Sequence, residues 1–87
     1  MPLIWIPTPL RHYSNGVVKL TVQGRNLREI IDNLDSIYPG LKEAIVKKGL
    51  VREEITVAID GEIIHQGLFQ EVPEQSEVHF IPTIGGG

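Results

Sequence analysis

Residues 26–40 read Asn26-Leu27-Arg28-Glu29-Ile30-Ile31-Asp32-Asn33-Leu34-Asp35-Ser36-Ile37-Tyr38-Pro39-Gly40. Leu27, Ile30, Ile31, Leu34 and Tyr38 recur at i, i+3, i+4, i+7 and i+11, which places them on one stripe of a helix. Asn26 with Glu29 three residues later resembles a capping pair, and Pro39-Gly40 breaks the helix. The flanking sequence supplies the sheet against which the stripe is buried. Residues 3–6 are a short apolar run closed by Pro7. Val17-Val18-Lys19-Leu20-Thr21-Val22 alternates after the turn cluster Ser14-Asn15-Gly16. Val18, Leu20 and Val22 share one face of that strand and Lys19 and Thr21 the other, so one side of the sheet is covered.

Beyond the helix, Leu41, Ala44, Ile45 and Lys48 predict a second, shorter helix, with Lys47 and Lys48 near its negative end and Gly49 as its cap. From Ile55 the period becomes two. Ile55, Val57 and Ile59 point one way and Thr56, Ala58 and Asp60 the other, and Asp60-Gly61 leads into Glu62-Ile63-Ile64 as a hairpin of the primed type. A loop containing Gly67 and Pro73 reaches the last strand, Val78-His79-Phe80-Ile81, which Pro82 ends. The expected order is β-β-α-β-β-β, an α+β arrangement in which one long helix packs on one face of a small mixed sheet of about five strands.

The chain has 87 residues, 41% hydrophobic and 22% charged, which fits one globular domain and argues against disorder. Residues 1–82 are expected to form that domain and residues 83–87 a flexible tail. A net charge of −3 argues against nucleic acid or an anionic membrane as partner. The absence of cysteine excludes a thiol nucleophile, a thiolate metal site and a disulfide framework, and is compatible with a reducing compartment. Leu3-Ile4-Trp5-Ile6 is too short for a signal-peptide core or a spanning helix. A cytoplasmic location is expected.

Gly85-Gly86-Gly87 ends the sequence. At the usual glycine frequency such a triplet at a terminus is a roughly three-in-ten-thousand event, so a cause is expected. A frayed end tolerates small residues. Function offers another cause: without Cβ atoms these residues pass through a narrow channel and deliver the terminal carboxylate into another protein's active site. Five extended residues, 83–87, would reach about 17 Å beyond the folded body.

These segments together resemble the ubiquitin-like sulfur carriers, which include the small subunit of molybdopterin synthase and the carriers of thiamine and cysteine synthesis. The likeness runs nearly end to end. It includes Ile6-Pro7-Thr8-Pro9-Leu10-Arg11, Asn26-Leu27-Arg28-Glu29, Tyr38-Pro39-Gly40-Leu41, the Asp60-Gly61 turn, and Glu77-Val78-His79-Phe80-Ile81-Pro82 running into the glycines. Two departures are a Pro73-Glu74-Gln75-Ser76-Glu77 loop where the family commonly has an Asp-Gly-Asp type turn, and three final glycines where two are usual.

The resemblance implies a β-grasp fold and a carrier that is a protein substrate without a catalytic site of its own. In the family, an adenylating enzyme spends ATP to activate the last glycine. A sulfur donor then leaves a thiocarboxylate, which a second, sulfur-accepting enzyme consumes. Here that carbon would be the Gly87 carboxyl, with Gly86 and Gly85 as the slender approach, no cofactor held stably, and ATP used by the partner. Alternatives are a ubiquitin-like modifier joined through Gly87 to lysines, and a small subunit docked in a molybdopterin-synthase-type complex.

Other residues are weaker candidates. His12, His65 and His79 stand at no metal-binding spacing. Glu53-Glu54 are neighbours whose side chains face opposite sides of a strand, so they make no acid/base pair. Gly24 and Gly49 read as turn glycines. Trp5 is more informative. With Ile4, Ile6, Val78 and Phe80 turned inward beneath the helix, Trp5 and Ile81 face outward as an exposed aromatic-aliphatic patch, a usual mark of a partner surface. That docking surface is expected to comprise Trp5, His79, Ile81, Pro82 and Ile84.

Overall fold

The computed structural model describes residues 1–65 and 67–83. Helix α1 spans Leu27–Ile37, and its stripe of Leu27, Ile30, Ile31 and Leu34 is buried as the spacing requires. At its start the Asn26 side chain accepts a hydrogen bond from the Glu29 N–H (2.9 Å), and the Glu29 carboxylate accepts one from the Arg25 N–H (3.0 Å). The first bond pairs one of the orphan amides that every helix leaves at its first turn, and the second ties the residue before the cap back to the helix. After Pro39, the Asp35 carboxylate accepts the N–H groups of Gly40 and Lys42 (3.1 and 3.0 Å), which starts α2, Leu41–Ile45.

The helices lie on a sheet built from β1 (Leu3–Trp5), β2 (Lys19–Thr21), β5 (Ile55–Ile59), β6 (Glu62–Ile64) and β7 (Glu77–Pro82), with β3 (Val46–Lys47) and β4 (Leu50–Val51) forming a separate hairpin. The sheet order is β2-β1-β7-β5-β6. β1 and β7 are parallel, and the other neighbours are antiparallel. The first and last strands of the chain therefore meet in the sheet's centre, which is the β-grasp arrangement.

The core is the inner face of this sheet against the helices: Ile4, Val57, Ile59, Val78 and Phe80 from the strands, the α1 stripe, and Leu41 and Ile45 of α2. The expected inward set of Ile4, Ile6, Val78 and Phe80 is buried. Pairing of β1 with β2 continues past the strand ends, since Ile6 N–H donates to Val18 and Val22 N–H to Pro2.

Three local expectations are corrected. The second helix stops at Ile45, and Lys47 and Lys48 do not sit on it. Lys48 and Gly49, at φ 53° and 76°, make the two-residue turn between β3 and β4, because a left-handed residue followed by glycine suits a primed turn as well as a helix end. Gly24 is more than a turn glycine, since a Cβ there would lie 2.8 Å from the Ile30 backbone nitrogen. It lets the chain pass close against α1. The loop before β7 is anchored too: Val72 N–H donates to Arg25, Leu27 N–H to Gln70 and Arg28 N–H to Leu68, and Leu68 and Val72 are buried.

Asp60-Gly61 forms the expected turn, with both residues at positive φ (51° and 85°). Asp60 also ties that turn to β7. Its carboxylate accepts the Ser76 hydroxyl (2.6 Å) and the Glu77 N–H (2.9 Å). The Ser76 bond first, then the Glu77 bond, hold the carboxyl below its ordinary value. A depressed acid is protonated first in the unfolded chain, so its stabilisation is complete above the unfolded value of about 3.9 and is lost as pH falls through the lower folded value. We expect the melting temperature of the native chain to fall more steeply on acidification through that range than that of Asp60→Asn, which tolerates the same backbone angle. Superimposable acid limbs would contradict this role.

Candidate functional site

Strand pairing arranges the outer face of the sheet in rows. Trp5 lies opposite Lys19 and His79, His79 opposite Ala58, and Ala58 opposite Ile63. The row Lys19, Trp5, His79, Ala58, Ile63 thus crosses all five strands, with Thr56 and Ile81 paired in the register nearer the end of β7. Both helices pack on the other face, so Ile63 and Ile81 are left 57% and 43% exposed.

Trp5 faces outward, as the alternation requires, but it is half-buried rather than a bare exposed aromatic. The His79 ring stacks on it with centroids 5.1 Å apart and planes 11° from parallel. The Lys19 ammonium stands 4.8 Å from the ring centroid, a favourable place for a cation on an indole. The indole N–H donates to the Glu77 carboxylate at 2.9 Å, and that carboxylate also lies 3.7 Å from His79 Nε2. Sequence reading missed Lys19, Glu77 and Ile63. The signal was the alternation itself, which sends Lys19 outward from β2 but says nothing of which strand lies beside it.

A cleft of about 230 Å3 adjoins this face, lined by Trp5, Pro7, Pro9, His79, Ile81 and Pro82 among others. The side chain of Arg11 shapes its wall by donating from Nε to the Ile6 carbonyl (2.9 Å). Of the histidines, His12 packs on Tyr13, with centroids 4.2 Å apart, and His65 follows β6. The three are not brought together, and the described residues hold no cluster of three or more histidine, aspartate or glutamate side chains suited to a metal ion. Among those residues, no helix is long and apolar enough to cross a membrane.

The strand carrying this face leads into the glycine segment. Pro82 pairs with Ile55, and Thr83 follows it with two hydrogen bonds to the start of β5. Its N–H donates to the Glu54 carbonyl (2.8 Å) and its hydroxyl to the Glu53 carbonyl (3.0 Å). Thr83, read from sequence as the first tail residue, is therefore fastened to the body. Ile84, Gly85, Gly86 and Gly87 lie outside the described residues.

The stacked row generates a prediction of its own. His79→Ala uncovers one face of Trp5, the only tryptophan. Its emission should shift to the red, with a stability loss of about 0.5–1.5 kcal/mol. An unchanged spectrum would show that the ring is shielded by something else.

The geometry recurs in known proteins. Residues 4–87 match the ThiS family. Sulfur carrier protein CysO of Mycobacterium bovis is 24% identical over 87 residues, with 94% of each chain covered. A chain of the BexX/CysO complex of Amycolatopsis orientalis has a TM-score of 0.93 at 29% identity, with all of both chains covered. Small archaeal modifier protein 1 of Methanosarcina acetivorans shares the fold with a TM-score of 0.81, at 24% identity over 98% of this chain and 94% of that one. With a match that spans all but its first three residues, the chain belongs to the ThiS family of ubiquitin-like sulfur carriers.

Proposed function

We propose that the chain carries sulfur as a thiocarboxylate on Gly87, formed after ATP-dependent adenylation by a separate enzyme. The observation that carries this reading is the family match, which runs through residue 87 and so takes in Gly85-Gly86-Gly87. A terminal carboxylate has a pKa of about 3.3–3.7 and is ionised at neutral pH, so it resists nucleophiles until activated. In the proposed sequence a carboxylate oxygen attacks the α-phosphorus of ATP and pyrophosphate leaves. A sulfur nucleophile then attacks the carboxyl carbon and AMP leaves. The chain supplies the carboxylate and a stem thin enough to enter the enzyme, while its partners supply the catalytic groups.

The outer sheet face is the docking surface in this reading, with Trp5, His79, Ile81 and Pro82 beside the origin of the tail and Ile84 the next residue along it. An aromatic anchor among exposed aliphatics is the composition of an interface centre. The Amycolatopsis relative, seen in complex with BexX, supports partner binding by this fold. Transfer of the sulfur to an accepting enzyme completes the cycle.

Two kinds of variant separate the roles of face and tail. Deleting Gly87, or replacing Gly86 with tryptophan, should abolish ATP-pyrophosphate exchange by the activating enzyme while binding and melting temperature stay near native. Ile81→Asp should instead weaken binding about tenfold or more, as expected for removing an interface anchor. Adenylation of the Gly87 deletion would contradict the carrier reading, and unchanged binding by Ile81→Asp would place the docking surface elsewhere. Isopeptide-linked adducts from cells, without thiocarboxylate, would favour the modifier reading.

A further inference from the structure

We infer that Thr83 is a positioning residue for adenylation, a clasp that fixes the chain at the point where residues 84–87 begin. The inference rests on the carrier reading above. Its basis is the pair of hydrogen bonds from Thr83 to consecutive carbonyls, Glu53 through the side chain (3.0 Å) and Glu54 through the backbone (2.8 Å). Both acceptors immediately precede β5, the strand antiparallel to β7.

The position of the clasp gives it its effect. Pro82, the last residue of β7, lies opposite Ile55 in a pair that exchanges no hydrogen bond, since the Ile55 N–H goes to Arg52. Among the described residues, the backbone bond of Thr83 to Glu54 is therefore the last of the β5–β7 ladder, and the hydroxyl bond to Glu53 is added to it. Four residues, 84–87, remain beyond it, with an extended reach of about 13–14 Å rather than the 17 Å of a five-residue arm. A shorter arm from a fixed origin has fewer conformations to lose when its end is placed on a reacting atom. His79, Ile81 and Pro82 of the docking face lie on the strand that Thr83 immediately follows, so a docked body presents the arm from one defined point.

Thr83→Val keeps the size and β-branching of the side chain and removes only the hydroxyl donor. In ATP-pyrophosphate exchange with the activating enzyme of the same organism, kcat should fall several-fold, the order expected for losing one of the two hydrogen bonds that hold the origin of the arm. KM should stay near the native value because the sheet face is intact, and Thr83→Ser, which restores the hydroxyl, should recover kcat. The melting temperature should not change by more than a degree or two. A merely structural role would lower the melting temperature or change KM, and would leave kcat unmoved once the protein is folded. Native kcat in Thr83→Val, or failure of Thr83→Ser to recover it, overturns the clasp while native exchange stands. Absence of exchange with the native chain overturns the carrier reading and the clasp with it.

Discussion

Burial of one helical stripe against one sheet face organises the whole molecule. Leu27, Ile30, Ile31 and Leu34 are sealed against Ile4, Val57, Val78 and Phe80, and each such side chain contributes about 1.5–3 kcal/mol when removed from water. In a chain of this size no second core offsets a failure of that contact. The contact also decides which strands are central. β1 and β7 carry fully buried residues under α1, so the two ends of the sequence are drawn together as parallel neighbours. The last strand thereby becomes an internal strand of the sheet, and a tail attached to it starts from a rigid base.

Covering one face has a consequence for the other. With both helices on the inner side, the outer side must be stabilised by cross-strand pairs, which are worth tenths to about 1 kcal/mol each. The Lys19, Trp5, His79 and Glu77 group is such an arrangement: a cation and an imidazole on the indole, and a carboxylate on its N–H. It holds a large aromatic in one orientation beside exposed Ile81. A pre-organised anchor loses little freedom on binding, which suits this face to the docking role proposed for it.

What the sequence made legible was periodic or punctuated. The 3.6-residue stripe, the two-residue alternation from Ile55 and the Asp60-Gly61 turn each follow from local chemistry, and each is observed. The hairpin of β3 and β4 was not legible, since Leu41, Ala44, Ile45 and Lys48 fit a helical spacing and Lys48-Gly49 suits either ending. The role of Asp60 beyond its turn depends on Ser76, sixteen residues away, and that of Thr83 on Glu53, thirty residues away. Contacts of this kind depend on which strands become neighbours, which alternation within a strand does not encode. The partners of Trp5 were hidden for the same reason, although its outward direction was not.

The central claim is that Gly87 carries sulfur, and the mass of the intact protein isolated from its native host tests it most directly. The account predicts a species heavier than the unmodified chain by the difference between a sulfur and an oxygen atom, localised to the C-terminal fragment, shifted further by the mass of the alkyl group on alkylation, and returned to the carboxylate mass on hydrolysis. A protein whose C-terminal fragment has only the carboxylate mass, in cells where the activating enzyme is present and sulfur is plentiful, would contradict it.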